Sequence, residues 1–347
     1  MMRGARMWAL AVRRPSGEIY LERHRVNDAA ERHRVLRLPL VRGVWALGDA
    51  LAIGMRALTT SANQSIDDSE EQLSKRETAI SLTLAVAFFL AVFIFLPNAG
   101  LAWLLQGLDN EVVYHVIEGF VRVGIFLGYL AAISAMSDIK RVFAYHGGEH
   151  KTIAAWEHGE ALEPSRVQPY STLHVRCGTN FLLLLVITAI FVYTVVGSIV
   201  PPPEGVGTMG YAIYHIVLRI VLLPVVAGVA YEGLRLGAGT SATLTRLAMK
   251  PGLWLQKITT RPPDDSMVEV AIRAFQAVVP ADDLAPRVAT LPSSVVWGRD
   301  DAPDDVYATV GVDPRLGEAA GDDAPPVESH DDGPAVDSHD DKGTGES

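Results

Sequence analysis

Residues 180–200 read NFLLLLVITAIFVYTVVGSIV, a run without a single charged side chain. As an α-helix that rises about 1.5 Å per residue, such a run covers about 30 Å, which is the thickness of the hydrocarbon core of a bilayer. Three consecutive prolines at positions 201–203 follow it, and proline does not continue a helix. The stretch therefore predicts a membrane-spanning helix and makes an α-helical integral membrane protein the expected fold class.

Three further runs have the same apolar character. They are residues 79–96, residues 119–137 with Arg122, and residues 211–236 with Arg219 and Glu232. The chain is 49% hydrophobic with a mean hydropathy of +0.21, which is too apolar for a soluble protein of 347 residues. We therefore predict about four transmembrane helices within residues 79–250, in contact with the lipid bilayer.

The basic residues are distributed unevenly around these predicted helices. The connections 97–118 and 201–210 contain no Lys or Arg, whereas residues 1–78 contain thirteen and the loop 138–179 contains five. Lys and Arg concentrate in the cytoplasmic loops of membrane proteins. We therefore expect a multi-pass protein of the cytoplasmic (inner) membrane, with the loop 138–179 and both termini in the cytoplasm.

The segment before the first predicted span has two parts. Residues 1–38 are expected to form a cytoplasmic β-hairpin or small sheet, because two runs rich in Val, Ile, Leu and Tyr flank the turn sequence Pro15-Ser16-Gly17. Residues 39–78 are expected to form an amphipathic helix and a polar linker. The arginines of this region alternate with apolar positions, as on a solvated strand face, so no nucleic-acid binding is expected.

The segment after the last predicted span also has two parts. Residues 251–280 are expected to form a membrane-proximal cytoplasmic segment and a helix over 268–279. Residues 281–347 hold 17 Asp and Glu against four Lys and Arg, while residues 1–280 hold 23 against 26. Few aromatic residues and many Asp, Pro, Gly and Ala predict that 281–347 is a disordered acidic tail. Protein partners could bind this tail or the N-terminal region.

The predicted cytoplasmic loop contains the side chains that point to chemistry. In YHGGEH, residues 145–150, His146 and His150 stand four positions apart, and His174 and the sole cysteine, Cys177, follow in the same loop. Residues i and i+4 of a helix lie about 5–6 Å apart on one face, close enough to bind one ion. We therefore predict a divalent-metal site at His146, His150, His174 and Cys177, with zinc as the expected ion because its ligands are nitrogen and sulfur.

The order His-x-x-Glu-His is that of the inverted zinc peptidases, whose glutamate takes a proton from a metal-bound water. By this pattern, Glu149 is the candidate catalytic base of a metal-dependent hydrolase. A shell of all four predicted ligands would be closed and structural, whereas one ligand fewer would leave the position that catalysis requires. Glu157, His158 and Glu232 are reserve ligands.

Other interpretations stay open at this point. Gly147 and Gly148 oppose the helical spacing, because each costs a helix about 1 kcal/mol relative to Ala, and they favour a turn at His146. The loop would also suit an anion or lipid-headgroup pocket with the basic residues Lys151, Arg141 and Arg176. The N-terminal region and the tail would suit a non-enzymatic scaffold or regulator. The intramembrane charges would suit a transporter.

Seven short motifs occur together in the chain. They are MMRG (1–4), AVRRP (11–15), PLVRG (39–43), SANQ (61–64), YHGGEHKT (145–152), HVRCGT (174–179) and PGLWLQ (251–256). As a set they resemble the YqhQ-like bacterial membrane proteins. The resemblance covers about residues 1–280 and leaves out the acidic tail. It implies a domain of unknown function that has sometimes been labelled a predicted metal-dependent enzyme.

Overall fold

The structure is a computed structural model that describes most of the chain. The described residues are 1–66, 74–104, 111–174, 177–200, 207–238, 243–284 and 291–301, together with Pro203 and Gly205. Most of the predicted polar linker and residues 302–347 of the predicted acidic tail lie outside these ranges. Within them, the chain is largely helical and contains one small sheet.

The described elements follow one another in a simple order. The strands are β1 (Met2–Arg3), β2 (Met7–Arg13), β3 (Ile19–Arg25) and β4 (Val295–Asp300). The helices are α1 (Ala29–Arg32), α2 (Val41–Gln64), α3 (Lys75–Phe89), α4 (Leu96–Leu104), α5 (Glu111–Ile133), α6 (Ser137–Glu157), α7 (Pro164–Val167), α8 (Gly178–Ile199), α9 (Thr208–Ala238), α10 (Thr243–Thr259), α11 (Asp265–Gln276) and α12 (Ala281–Leu284). A 3-10 turn covers Arg34–Arg37, and a π-helical turn over Leu90–Phe95 joins α3 to α4.

Among the described residues, four helical stretches are long and apolar enough to cross a membrane. They are Arg76–Phe95, Val116–Ile133, Gly178–Ile199 and Ile213–Leu236, and they fall on the four runs predicted from the sequence. At most 33% of any stretch is buried inside the chain, so most of these apolar side chains face outward. Large outward apolar surfaces mark contact with a membrane or a partner. A mostly helical fold with four candidate spans and a small N-terminal sheet is therefore confirmed.

The first candidate span differs from its prediction at its end. The predicted run ends at residue 96, just before Pro97, but α4 continues the helix to Leu104. Proline has no N–H, so the carbonyl of Phe93, four residues earlier, lacks its helical donor. The π-helical turn before Pro97 absorbs the change, and the Arg122 side chain donates to the Phe93 carbonyl oxygen at 3.4 Å. The helix passes the proline because both adjustments are available.

The sheet has the strand order β1-β2-β3-β4. β2 and β3 form an antiparallel hairpin in which Met7 lies opposite Arg25 and Arg13 lies opposite Ile19. The predicted N-terminal hairpin is therefore confirmed. β4 joins from the other end of the chain and runs parallel to β3, with Val295 opposite Ile19.

The predicted start of the disordered acidic tail, residue 281, lies too early in the chain. Residues 281–284 form α12, and β4 occupies Val295–Asp300, inside the segment expected to be disordered. Arg23 of β3 donates to both carboxylate oxygens of Asp300, at 2.8 Å and 2.5 Å, which fixes the end of β4. Local composition does not reveal this strand, because its partner lies about 270 residues earlier in the chain.

The sheet packs between two helices. One face contributes Met7, Ala9, Ala11, Ile19 and Leu21 to a core with Val268, Ile272 and Phe275 of α11 and Ala155 of α6. The other face contributes Trp8, Leu10 and Val12 to a core with Ile53 and Ala57 of α2. Burial of each large apolar side chain contributes about 1.5–3 kcal/mol. The helix predicted over 268–279 is α11, which begins and ends three residues earlier, and its packing ties α6 to the sheet.

The predicted amphipathic helix is α2, which crosses α9 at two glycines. A Cβ at Gly43 would lie 2.9 Å from the Cα of Gly228, so the two backbones touch. Beside the crossing, Arg42 donates through Nε to the Glu232 carboxylate at 2.6 Å, and its second nitrogen binds the other oxygen. Glu232, a reserve metal ligand in the sequence interpretation, is therefore engaged in a helix–helix ion pair.

Candidate metal centre

α6 carries both histidines of the predicted pair. The helix is continuous through Gly147 and Gly148, which agrees with the predicted helical spacing and excludes the alternative of a turn at His146. Close packing explains why residue 147 is a glycine, because a Cβ there would lie 2.1 Å from the carbonyl oxygen of Arg261. The Arg261 N–H donates to the carbonyl oxygen of Phe143 at 2.9 Å. The absence of a side chain at residue 147 thus lets the segment after α10 lie directly against α6.

His146, His150 and Cys177 come together at one point. Their ligand atoms all lie within 4.8 Å of one another, and the Nε2 atom of His146 is 3.2 Å from the Cys177 sulfur. The two imidazole rings meet edge to face with centroids 4.4 Å apart. His150 is buried, while the other two residues are half-buried. The three side chains form a cluster that could hold a metal ion.

Backbone carbonyls fix the orientation of both rings. The Nδ1 atom of His146 is 2.9 Å from the carbonyl oxygen of Thr259, and the Nδ1 atom of His150 is 2.5 Å from that of Thr172. A carbonyl oxygen can only accept, so each Nδ1 carries a proton and donates it. In the neutral ring, Nε2 then has the free lone pair that a metal ligand needs. Metal-binding histidines are commonly held in this way by their second nitrogen.

The ionisation of the cluster is shifted toward a thiolate. Burial raises the pKa of the Cys177 thiol, but hydrogen bonds from His146, His150 and Thr179 outweigh burial and bring that pKa down to about 5. Burial lowers the pKa of His146, but the hydrogen bond and charge of Cys177 prevail and raise it above its ordinary value. A thiolate is the form of cysteine that binds metals.

Cys177 stands at the N-cap position of α8. The Thr179 hydroxyl donates to the Cys177 sulfur at 3.3 Å, and the Thr179 N–H lies 3.5 Å from it. The N-terminal end of a helix carries a partial positive charge that favours an anion. Three elements therefore form the cluster. α6 supplies the two imidazoles, the N-cap residue of α8 supplies the thiolate, and the last residue of α10 supplies the Thr259 carbonyl.

His174 does not join the three-residue cluster. Its Nε2 atom is 3.2 Å from the Glu157 carboxylate, and its ring centroid is 5.8 Å from that of His150. The buried Gln256 side chain holds the His174 backbone, because it accepts from the N–H and donates to the carbonyl oxygen, each at 2.8 Å. The closed four-ligand shell considered from the sequence is thus not assembled. The spacing of His174 and Cys177 suggested convergence, but Gln256 and Glu157 set a different direction.

The remaining predicted residues bond to partners outside the cluster. Glu149 bonds to the Met1 amino group at 2.5 Å and is not among the clustered ligands. His158 donates through Nδ1 to the Ala154 carbonyl at 2.7 Å, away from the cluster. Lys151 donates to the Gln168 carbonyl, and burial lowers its pKa. The proposed basic pocket is therefore not formed by Lys151, and Arg176 lies outside the described residues.

The donor set fits a zinc-like ion. Bond lengths of about 2.0–2.1 Å to nitrogen and about 2.3 Å to sulfur place tetrahedral donors roughly 3.3–3.8 Å apart, a separation that the present cluster reaches with small side-chain shifts. Two imidazoles and one thiolate fill three of four tetrahedral positions. Structural zinc sites close the fourth position with a protein ligand, whereas catalytic sites leave it for water or substrate. Among the described residues, the cluster of His146, His150 and Cys177 supplies three donors.

A second buried polar cluster lies among the candidate spans. Glu118 of α5 accepts from Arg122 at 2.8 Å and from Arg219 of α9 at 2.5 Å, through the same carboxylate oxygen. The Arg219 guanidinium also lies 5.8 Å from the centre of the Tyr193 ring. Sequence reasoning identifies the two arginines and misses Glu118. The signal was available, because Glu118 and Arg122 stand four residues apart in a helical run.

Comparisons with known proteins give a family and no activity. The model of the family described as "Protein of unknown function (DUF1385)" matches residues 38–281. The chain is 31% identical over 299 residues to a protein of Bacillus subtilis (strain 168) named "Uncharacterized protein YqhQ". The aligned residues cover 82% of this chain and 91% of that protein. No solved structure matches the chain.

Proposed function

The chain belongs to the DUF1385 family of YqhQ-like proteins, and we propose that it is a membrane protein with a catalytic divalent-metal centre at His146, His150 and Cys177 on the cytoplasmic side of the bilayer. The four outward-facing apolar helices support insertion in a membrane. The absence of Lys and Arg from the connections 97–118 and 201–210 supports the orientation, because the remaining connections hold the basic residues.

One observation carries the metal centre. Both histidines donate Nδ1–H to a backbone carbonyl oxygen, so that the Nε2 atoms lie beside the Cys177 sulfur and can bind a metal ion once they have lost any proton. Nitrogen and sulfur donors in tetrahedral positions favour zinc over magnesium or calcium, which prefer oxygen.

Hydrolysis is the chemistry that the site supports best. A metal ion here would supply a water molecule whose pKa falls from about 15.7 to about 7. Glu149 stands beside His150 on α6, in the order His-x-x-Glu-His, and we assign it the role of the base. Its carboxylate is partly exposed, with 26% of the side chain accessible, so it can exchange a proton with the solvent.

Metal analysis of the purified protein tests this function. The wild-type chain should carry about one zinc ion, whereas His150→Ala and Cys177→Ser should each lose most of it, because three ligands are the minimum for a catalytic zinc site. His158→Ala is the matched control, since that histidine follows the last residue of the same helix and its Nδ1 donates to the Ala154 carbonyl oxygen. Wild-type protein without stoichiometric metal, or equal metal in all three variants, would rule out the centre.

A further inference from the structure

We infer that the ligand of the open coordination position is a phosphate-bearing headgroup of an anionic phospholipid in the surrounding membrane. This inference rests on the proposed metal centre and deepens it, because it names the class of molecule that the centre would bind. Three observations support it: the depth of the cluster, the outer face of α10 and the local charge.

The cluster lies at the boundary of the candidate membrane domain. Cys177 directly precedes Gly178, the first residue of the candidate span Gly178–Ile199. At about 1.5 Å per residue, its sulfur therefore lies within a few ångströms of the depth at which the hydrocarbon core would begin. The headgroups of a bilayer occupy this layer. A metal ion held by Cys177 would meet lipid phosphates there without leaving the layer.

α10 presents one face to the cluster and another to its surroundings. Leu255, Gln256 and Thr259 are buried, and the last of these supplies the carbonyl that holds His146. On the outer face, Trp254 is 68% exposed and lies between the exposed Lys250 and Lys257. Trp and Lys are the side chains that membrane proteins place at headgroup level. α10 is therefore suited to lie in the headgroup layer while its Thr259 carbonyl oxygen contacts His146.

The local charge favours an anion. Lys250 and Lys257 are exposed on α10, and Lys140 and Arg141 are exposed on the first turns of α6, where Asp138 is the one acidic residue. The N-terminal end of α8 adds the positive end of a helix dipole. His146 and Cys177 are only half-buried, so a ligand can reach the open position. Phosphoryl oxygens are ligands that catalytic zinc polarises.

Spectroscopy of the cobalt-loaded protein tests the inference. Co²⁺ occupies the same nitrogen–sulfur sites as Zn²⁺, and its visible absorption bands respond to the fourth ligand. The full-length protein, in nanodiscs of phosphatidylcholine, would be titrated with dihexanoyl phosphatidic acid, with inorganic phosphate and with dihexanoyl phosphatidylcholine. We expect the bands to shift with phosphatidic acid at a concentration at least about tenfold lower than with inorganic phosphate, a difference of about 1.4 kcal/mol.

Variants outside the metal ligands sharpen the test. Trp254→Ala and the double variant Lys250→Gln, Lys257→Gln should bind cobalt as the wild type does but need at least about fivefold more phosphatidic acid, because the headgroup contacts are lost. Trp103→Ala is the control, since Trp103 is similarly exposed on α4. Bands that do not respond to phosphatidic acid, or that respond equally to inorganic phosphate, would overturn the lipid assignment and leave the metal centre standing. Failure of the wild type to bind cobalt would overturn both.

Discussion

The metal-site cluster and the Glu118 cluster contrast in how their polar groups are satisfied. In the cluster of the candidate spans, Glu118 receives hydrogen bonds from Arg122 and Arg219, so opposite charges meet directly. In the cluster beside α8, the two imidazoles turn their Nδ1 atoms to carbonyl oxygens and their other nitrogens toward a thiolate. In the first cluster, the protein's own groups supply both signs of charge. The second gathers electron-pair donors, and a cation would complete it.

This contrast separates a structural role from a ligand-binding role. A buried ion pair costs desolvation energy that its own attraction offsets, and the loss of one partner leaves a charge uncompensated. A cluster of metal ligands loses metal affinity rather than folding when one donor is replaced, because the remaining groups can change their protonation state and become neutral. The two clusters should therefore respond to mutation in opposite ways.

The largest expected effect comes from Glu118→Gln. The variant leaves Arg219 and Arg122 without the carboxylate that neutralises them, and breaking a buried pair costs about 3–5 kcal/mol. We expect a marked fall in the thermal unfolding midpoint of the detergent-purified protein and in its yield. Glu163→Gln, at an exposed position, should leave both unchanged. Equal midpoints for the two variants would refute the structural role of Glu118.

The next effect concerns the glycines of α6. Gly147→Ala would place a methyl group 2.1 Å from the Arg261 carbonyl oxygen, and such overpacking costs about 1–3 kcal/mol. Gly148→Ala is the matched neighbour, because its nearest atom would lie at 3.5 Å, an ordinary contact. We expect a lower unfolding midpoint and weaker metal binding for the first variant only. A similar loss in both would mean that the close approach of Arg261 is not what requires glycine.

The pH dependence of metal affinity is a smaller effect. A proton on the Nε2 atom of His146 competes with the metal, and the raised pKa of that ring extends the competition to higher pH. The affinity should therefore fall by at least about tenfold for each pH unit below that pKa, and less steeply above it. Cys177 contributes little over this range, because its pKa of about 5 leaves it as thiolate. Chelator competition from about pH 5.5 to about pH 8 measures the slope, and a flat profile would count against His146 as a ligand.

The smallest effect on metal binding is expected from Glu149→Gln. The carboxylate lies outside the three clustered ligands, so the variant should keep its metal content within measurement error. As the assigned base, the same residue should be needed for turnover of any substrate that the wild type hydrolyses. Loss of metal from Glu149→Gln would make this residue a ligand and contradict the assignment. His150→Ala, one position later, provides the comparison in which metal is lost.

Local patterns in the sequence predicted those elements that depend on neighbouring residues. The hairpin, the four apolar runs and the helix α11 can each be predicted from the spacing of apolar side chains within a short segment. Features that depend on distant contacts were missed. β4 pairs with a strand about 270 residues away, and the need for glycine at residue 147 appears only where Arg261 approaches.

The candidate site was predicted in part for the same reason. The spacing of His146 and His150 follows from one helix, so the sequence could place both on one face. The direction of His174 depends on Gln256 and Glu157, which lie 82 residues after it and 17 before it. Neither spacing nor composition reveals that contact. The carbonyls of Thr259 and Thr172, which orient the rings, belong to the backbone and leave no trace in the pattern of side chains.

X-ray absorption spectroscopy at the zinc edge tests the central claim most directly. The wild-type protein should show two nitrogen ligands at about 2.0–2.1 Å, one sulfur ligand at about 2.3 Å and one further light atom. Cys177→Ser should remove the sulfur signal, while His174→Ala should leave the first shell unchanged, because His174 turns to Glu157. A wild-type spectrum without sulfur, or a protein that carries no metal at all, would contradict a centre built from His146, His150 and Cys177.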